Sequence, residues 1–303
     1  MMPSPARALI FSLARWLQIL WGFVESDFFT FAVPNTVFGV AGATAGTGNG
    51  LVAGPHPFLI DVLKRLPRVF LFNCYSLLLF DLSNQRFPES VAEDGMNKPW
   101  RPIPSGKITP DQTRRTILYL VPVVLWLNYI LDIWNEGLLV QVLSWCYNDL
   151  RGGDEVFRDA IIAVSYGLGN STSLRLALGP SNSITRRGHA WTALISAVIL
   201  TTMHIQDLKD QQGDRRRGRK TIPLFLGDGT ARFALAIFVP FWSCICVSFW
   251  QHTWSGYVLP LGLGSLVSWR VLTKRTAHDD GRTWRLWCFW HSILYLLPLV
   301  SRV

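Results

Sequence analysis

The chain has 303 residues, of which 50% are hydrophobic and 16% are charged, and its formal net charge at pH 7 is +9. A soluble domain normally carries about 25% charged residues, so this composition argues against a soluble protein and favours a membrane protein. Basic loops at a membrane surface account for the positive charge. No nucleic-acid-binding motif accompanies it, and we expect no nucleic-acid partner.

The first predicted element is an N-terminal amphipathic segment in residues 1–26. Its stretch from 6 to 25, ARALIFSLARWLQILWGFVE, carries Arg7 and Arg15 among large aromatic side chains. Such a pattern is typical of a helix that lies in the membrane interface. A signal peptide is the alternative, but Arg15 interrupts its apolar core and no small-residue cleavage site follows. The remainder, residues 27–303, is predicted to be one membrane domain.

Nine apolar runs with few charges follow in that domain. Several reach the roughly 20 residues that cross about 30 Å of hydrocarbon, and the others come near it with their flanks. Barrel strands would alternate with period two, which these runs do not, so helices remain as the structure that satisfies its own backbone in lipid. The sequence predicts an all-α, polytopic bundle of about nine transmembrane helices. The runs cover residues 28–46, 66–83, 116–132, 137–150, 159–178, 189–206, 233–250, 255–269 and 286–300.

The basic residues are distributed unequally between the two sides of this nine-helix arrangement. If the amino terminus and the segments after spans two, four, six and eight share one side, that side holds 22 of the 29 lysines and arginines, and the other side holds 7. The richer side is cytoplasmic by the positive-inside rule. The chain is therefore predicted to be an integral multi-pass membrane protein. The sequence does not specify the membrane; in a eukaryote it would be the endoplasmic reticulum.

A polar cluster follows the second span and reads FDLSNQRFPESVAEDGMNKPWRPIPSG from residue 80 to 106. Acidic and amide side chains come first and cations follow, all on the predicted cytoplasmic side. The candidates for a functional site in this cluster are Asp81, Asn84, Glu89, Glu93, Asp94, Lys98 and Arg101.

A second cluster, HIQDLKDQQGDRRRGRKTIP from residue 204 to 223, follows the sixth span on the same side. Asp207, Asp210 and Asp214 are spaced by three and then four residues, which predicts that all three lie on one helical face. A basic stretch follows at once and ends with Arg219 and Lys220. Two separate helices thus carry acids and then bases toward one membrane surface.

Together the two clusters predict a magnesium–diphosphate site. Carboxylates this close repel one another, and a lone carboxylate near hydrocarbon is costly, so we expect a cation between them. Mg²⁺ is usually bound by one or two carboxylates together with phosphate oxygens and water, and arginine and lysine suit the remaining phosphate charge. The alternative is a solvated loop that only fixes topology. It explains one basic run, but not acids on two helices.

An allylic prenyl diphosphate fits such a site as the substrate. Its head group would meet the metal ions, which assist ionisation of the C–O bond. Its apolar tail would lie among the helices, where an aromatic-lined cavity shields the carbocation from water and stabilises it by cation–π contact.

The two clusters resemble the motifs of the UbiA superfamily of intramembrane prenyltransferases, and the resemblance extends over nearly the whole chain. Asn84 and Gln85 open the first motif, which continues in EDGMNKPWRP from residue 93 to 102 and ends in Ser105 and Gly106. The second motif is similar to DLKDQQGD from residue 207 to 214, with its basic stretch and the Thr-x-Pro of residues 221–223.

The resemblance implies a helical bundle around a cavity, with Mg²⁺ and diphosphate held between the motifs. Nine residues separate Asn84 from Asp94, two more than is usual, and Glu89 or Glu93 stands in for the middle aspartate; Asp81 is a further candidate. The implied catalytic residues are Asp94, Asp210 and Asp214. The implied metal ligands are Asn84, Glu89, Glu93, Asp94, Asp207, Asp210 and Asp214, and the implied diphosphate contacts are Lys98, Arg101, Arg219 and Lys220.

Three more polar residues are weaker candidates. Tyr147 and Asn148 end the fourth span on the cytoplasmic side, where they either line the pocket mouth or cap a helix. Asn73 lies inside the second span, where it takes part either in the cavity or in a buried packing hydrogen bond.

Three functions remain open at this point. The first is transfer of the prenyl group to an aromatic or other small-molecule acceptor, which is the larger class. The second is cyclisation of farnesyl or a longer prenyl diphosphate to a terpene, because the motif combination looks most like a variant branch that includes UbiA-type terpene cyclases. The third is a non-catalytic membrane scaffold or transporter, which predicts no dependence on Mg²⁺.

Overall fold

The computed structural model describes residues 5–55, 57–251 and 253–300, with side chains described from residue 14 onward. Helices dominate this part of the chain, as predicted; one two-residue antiparallel ladder joins β1, Val52–Ala53, to β2, Ser183–Ile184. The helices are α1 (Pro5–Asp27), α2 (Val33–Ala45), α3 (Leu59–Gln85), α4 (Pro88–Asn97), α5 (Pro110–Ile130), α6 (Trp134–Asn148), α7 (Arg158–Leu178), α8 (Arg186–Thr202), α9 (Gln211–Arg217), α10 (Ile222–Phe225), α11 (Asp228–Phe249), α12 (Ser255–Thr273) and α13 (Ala277–Val300).

Each predicted apolar run coincides with one long helix, namely α2, α3, α5, α6, α7, α8, α11, α12 and α13. Large apolar side chains point outward from these helices; on α11, for example, Phe233, Ile237 and Phe241 form an exposed row. An outward apolar surface of this kind suits lipid rather than water. Four stretches are long and apolar enough to cross a membrane: Ala14–Ala45, Leu59–Gln85, Arg186–Leu208 and Asp228–Phe249. The count of nine spans stays a prediction.

The N-terminal segment and the first predicted span form one continuous helical stretch. A π-helical segment, Phe28–Ala32, connects α1 to α2 without a break. Pro34 lies just after it and has no amide hydrogen to donate to the carbonyl four residues earlier, at Thr30. Tyr166 on α7 donates to that carbonyl instead, over 2.6 Å. The irregular turn therefore fixes the junction of α1 and α2 against α7. Arg7 lies outside the residues whose side chains are described.

Helices α2 and α7 pack closely because α2 has glycines at the contact. A methyl group on Gly39 would lie 2.5 Å from the backbone carbonyl of Ser173, and one on Gly42 would lie 2.9 Å from the side chain of Leu174. Small residues that let backbones approach are the usual basis of helix association in membranes.

We expect Gly39→Ala to lower the free energy of unfolding by about 1–3 kcal/mol, because the added methyl group must push two backbones apart. The measurement is thermal unfolding of the detergent-solubilised protein. Gly262→Ala on α12 is the matched control, since nothing lies within 4 Å of a methyl group there. Equal midpoints for the two variants would contradict the close approach of α2 to α7.

A buried ion pair joins the neighbouring ends of three helices. Arg232 on α11 is 1% exposed and donates to both carboxylate oxygens of Asp280 on α13 over 2.8 and 2.7 Å, and to the carbonyl of Val271 on α12 over 3.0 Å. It also donates to Asp228 over 2.8 Å, which in turn accepts from Gln211 of α9 over 2.8 Å. Helix α9, which carries part of the second motif, is thus anchored to the bundle.

Candidate functional site

A cavity with about 1170 Å³ of empty space, open solvent at its mouth included, lies between α3, α4, α6, α7 and the segments after α8. Its mouth is polar and its interior is apolar. Eleven of the residues singled out in the sequence line it: Asp81, Asn84, Glu93, Asp94, Lys98, Arg101, Tyr147, Asp207, Asp210, Asp214 and Arg219. The fold therefore brings the two clusters, more than 100 residues apart in sequence, to one cavity.

Two predicted ligands lie elsewhere. Glu89 forms an ion pair with Arg151 at the protein surface, outside the cavity lining. Lys220 is exposed, and its ammonium group lies 2.7 Å from a carboxylate oxygen of Glu155. Both residues are close in sequence to residues that line the cavity, but their own side chains point away from it. Neither position fits the role predicted for it, as metal ligand or diphosphate contact.

The two weaker asparagine candidates act behind the cavity wall. Asn73 is fully buried and donates over 3.2 Å to Thr36 on α2 and over 2.9 Å to Ser173 on α7. Asn73 therefore makes buried packing hydrogen bonds, which is the second of the two roles that the sequence left open. Asn148, at the end of α6, accepts a 2.9 Å hydrogen bond from the amide of Asn84. It therefore orients a residue that does line the cavity.

The first motif is presented by α4 and the turns that follow it. Asp94 accepts from Arg101 with both oxygens, over 2.9 and 3.0 Å, and both side chains are almost fully buried. Burial raises the pKa of Asp94 above its usual value, against the opposing effect of Arg101. Arg101 also reaches Asp27, at 3.2 Å.

Glu93 connects α4 to the second motif. Its carboxylate lies 3.0 Å from Arg217 and 3.2 Å from Arg219. Burial alone would raise the pKa of Glu93, but Arg219 and Arg217 together outweigh burial and hold it below its usual value. Glu93 is thus a charged anchor for two arginines, one of which, Arg219, lines the cavity.

The second motif does not lie on one face of a single α-helix, which corrects the sequence prediction. Helix α8 ends at Thr202, a 3₁₀ segment from Met203 to Leu208 carries Asp207, and Asp210 precedes α9, which carries Asp214. The tighter 3₁₀ turn and the non-helical backbone of Asp210 change the direction of the chain. All three carboxylates nevertheless line the cavity, because α9 turns back toward α4.

The acids of the second motif are only partly neutralised. Asp207 lies 2.7 Å from the guanidinium of Arg158, and Asp214 lies 3.5 Å from that of Arg219. Asp210 contacts Lys209. Among the described residues, none donates a hydrogen bond to Oδ2 of Asp207 or to either oxygen of Asp214. Burial, and then the charge of Asp207, raise the pKa of Asp214 to about 7.

Free carboxylate oxygens in a buried, crowded site are suitable ligands for a hard cation such as Mg²⁺. In the described part of the chain, no three acidic, histidine or cysteine side chains form a ready-made metal cluster. Mg²⁺ often takes only one or two protein carboxylates and completes its shell with phosphate oxygens and water. The donor set therefore fits Mg²⁺ that binds together with a diphosphate.

The sequence reasoning missed two charged residues of the cavity, Asp27 and Arg158. Each immediately precedes an apolar run, where a charged residue usually marks the membrane surface. The only signal in the sequence was their shared position on the predicted cytoplasmic side. Arg158 is 4% exposed, so it is part of the site and not a surface anchor.

The inner wall of the cavity is apolar and aromatic. Phe31 and Tyr166 form an edge-to-face pair with ring centroids 5.2 Å apart, and Phe80 and Tyr147 lie 5.2 Å apart. Val140, Ile162 and Met203 complete this end. The cavity therefore suits a molecule that has a charged head group and a long apolar tail.

The fold and the site together define an intramembrane prenyltransferase architecture. A model of the UbiA prenyltransferase family matches residues 71–293, and the chain belongs to this family. The resemblance found in the two motifs is thereby confirmed.

Two curated relatives cover nearly the whole chain. The diterpene cyclase eriG of Hericium erinaceus is 29% identical over 290 residues, which are 91% of this chain and 86% of the relative. The polyprenyl transferase eriF of the same organism is 28% identical over 300 residues, 94% of this chain and 95% of the relative.

Among solved structures, a UbiA homologue from Archaeoglobus fulgidus bound to GPP and Mg²⁺ has the same fold. Its TM-score is 0.55 at 13% sequence identity, with 93% of this chain and 100% of that chain covered.

Proposed function

We propose that this protein is a Mg²⁺-dependent intramembrane enzyme that ionises an allylic prenyl diphosphate. The observation that carries the proposal is the two-ended cavity, with unpartnered carboxylate oxygens and arginines at its mouth and aromatic side chains inside. Membership of the UbiA family supports it, as does the homologue of the same fold that was solved with GPP and Mg²⁺.

The residues of the cavity mouth divide into two roles. Asn84 and Asp94 would hold one metal ion, and Asp207, Asp210 and Asp214 would hold the other. When bound, Mg²⁺ would neutralise the charge that develops on the leaving diphosphate. Lys98, Arg101, Arg158 and Arg219 would bind phosphate oxygens, since each already lies at the cavity wall. Glu93 would position Arg219.

The inner residues would protect the carbocation. Phe31, Phe80 and Tyr166 exclude water from the space into which the prenyl chain extends, and their ring faces favour a positive charge. Tyr166 is held in place by its hydrogen bond to the carbonyl of Thr30.

The cation has two candidate fates. Cyclisation, in which a double bond of the prenyl chain attacks the cation, is favoured by the combination of the two motifs and by the similarity to the diterpene cyclase eriG. Transfer to a small-molecule acceptor is favoured by the similarity to the polyprenyl transferase eriF. We propose cyclisation as the first of the two, because the combination of the two motifs looks most like the branch that includes UbiA-type terpene cyclases.

The topology proposed for the enzyme is nine transmembrane helices in residues 27–303, with both motif clusters at the cytoplasmic surface and residues 1–26 along the membrane interface. The unequal distribution of lysine and arginine supports this orientation.

Membranes that contain the protein should release diphosphate from farnesyl or geranylgeranyl diphosphate when Mg²⁺ is present. Chelation by EDTA should abolish the release, and excess Mg²⁺ should restore it, because the carboxylates would otherwise repel the substrate head group. The measurement is diphosphate release together with gas chromatography of the organic extract, with membranes that lack the protein as the control.

A volatile hydrocarbon formed without an acceptor would identify a cyclase. Release that begins only when an aromatic acceptor is added would identify a transferase. Release that is insensitive to EDTA, or no release under either condition, would contradict the proposed function.

A further inference from the structure

Two carboxyl groups outside the two metal-binding sets, those of Asp27 and Asp81, meet on the cavity wall. Asp27 ends α1, immediately before the π-helical segment, and Asp81 lies in the last third of α3; both line the cavity. Asp81 is 2% exposed. Its carboxyl lies close enough to that of Asp27 for the two groups to interact, and no N–H or hydroxyl donor among the described residues reaches its Oδ2.

Two carboxylates that lie side by side repel each other, and this repulsion favours the uptake of a proton. Arg101 and Lys98 lie near Asp81 and partly offset its negative charge. Arg101 lies 3.2 Å from Asp27 but is shared with Asp94, so it does not neutralise the pair alone. The pair is therefore able to take up a proton.

The pair lies between the polar mouth and the apolar interior. Asp81 precedes Asn84 by three residues, which on an α-helix places it about 4.5 Å deeper along the axis. Its neighbours on the cavity-facing side of α3 are Leu77 and Phe80. A prenyl chain whose diphosphate binds at the mouth would extend past this point.

We propose that the Asp27–Asp81 pair is the base that accepts the proton released when the carbocation is consumed. This inference rests on the proposed function. In the first step the C–O bond breaks and the diphosphate keeps the electron pair. In the second step a C–C bond forms to a double bond of the prenyl chain or of an acceptor, which leaves a new cation. Asp81 then removes a proton from the adjacent carbon, whose C–H electrons form the final double bond.

The proton balance closes within one turnover. The pair takes up the one proton that the carbocation loses, and this proton leaves to water at the cavity mouth when product and diphosphate depart. No oxidant or other reactant is needed. The same proton is released in cyclisation and in transfer to an aromatic carbon, so the role of the pair does not depend on which of the two occurs.

The test separates ionisation from proton removal. Asp27→Asn and Asp81→Asn, singly and together, keep the shape of the pair but abolish its basicity. Asp61→Asn is the matched control, because Asp61 lies in the first turn of the same helix α3, 41% exposed at the other end. For each variant, diphosphate release and the composition of the organic products are measured in parallel with farnesyl and geranylgeranyl diphosphates, with an aromatic acceptor added if the wild type requires one.

We expect diphosphate release in the Asp27 and Asp81 variants to stay within about tenfold of wild type, while the normal product falls by about 100-fold, the usual range for loss of a general base. Alcohols from capture of the cation by water, or isomeric alkenes, should replace it. Asp81→Glu, which keeps a carboxyl group but moves it, should restore proton removal with a changed isomer ratio.

An unchanged product composition in the double variant would overturn the proposed base. A parallel loss of diphosphate release and product would overturn it as well, because that pattern belongs to the metal ligands. The absence of diphosphate release from the wild type is a different outcome, since it would contradict the proposed function itself. If the asparagine variants fail to fold, Asp81→Glu decides: an unchanged isomer ratio there would count against the proposal.

Discussion

Asp214→Asn is expected to reduce the rate of Mg²⁺-dependent diphosphate release by about 100- to 1000-fold, the range found when one charge-stabilising group of a catalytic site is removed. Asp214 is 1% exposed, and neither of its carboxylate oxygens accepts a hydrogen bond from the part of the chain that the structure describes. It lines the cavity together with Asp207 and Asp210. An amide has nearly the same size as the carboxylate, so the substitution removes the negative charge without opening a void.

The same variant is not expected to lose stability. A buried carboxylate with unpaired oxygens destabilises the fold, and its replacement by a neutral amide removes that cost. Thermal unfolding should therefore give a midpoint equal to or above that of the wild type. A loss of activity without a loss of stability is expected only if the carboxylate of Asp214 binds a ligand and does not stabilise the fold.

Asp111→Asn is the matched control for this experiment. Asp111 is an acid on the predicted cytoplasmic side as well, but it is exposed at the start of α5, outside the cavity, and pairs with Arg114 and Arg115. It should retain wild-type activity. Substantial Mg²⁺-dependent release by Asp214→Asn would show that the second motif is not a metal site.

The fold was largely accessible from the sequence, because burial in lipid leaves the backbone few options. Each of the nine apolar runs corresponds to one long helix. The junction of α1 and α2 was not accessible. The sequence shows a charged boundary near Asp27, whereas the chain continues through a π-helical segment. That turn depends on a hydrogen bond from Tyr166, more than 130 residues away, and local patterns do not contain such a partner.

The sequence predicted the cavity best where residues of the two motifs form its wall. It predicted less well the direction in which individual side chains point. Asp207, Asp210 and Asp214 line the cavity, although the helix expected to align them is interrupted. Glu89 lies in the right segment, but α4 directs it outward to Arg151. Spacing gives the face on which a side chain lies only while the helix continues, and short helices such as α4 and α9 are oriented by tertiary contacts.

Arg158 is a cavity residue that lies outside both motifs and was not predicted from the sequence. It lies at the start of α7, far in sequence from both motifs, yet its guanidinium is 2.7 Å from Asp207. A single arginine at the end of an apolar run resembles an interface anchor. Its role becomes visible only when α7 is packed against the segment that follows α8.

Arg158→Met is expected to lower the free energy of unfolding by about 3–5 kcal/mol, the usual consequence of removing one partner of a buried ion pair. Asp207 would then be left without its cation. Asp159, whose two oxygens have no hydrogen-bond partner within the described ranges, would lie beside it. Thermal unfolding of the detergent-solubilised protein measures the loss. Arg115→Met is the control, because Arg115 is 66% exposed and its pair with Asp111 lies at the surface.

The double variant Arg158→Met, Asp207→Leu distinguishes a structural pair from a functional one. Without either charge the desolvation penalty disappears, so a large part of the lost stability should return. Diphosphate release should nevertheless be lost, because the double variant lacks both the proposed metal ligand and the proposed phosphate contact. A double variant no more stable than Arg158→Met would mean that Asp207 is not the partner that makes Arg158 necessary. A double variant that recovers both stability and activity would mean that evolution retained this buried pair for a reason other than the binding of Mg²⁺ and diphosphate.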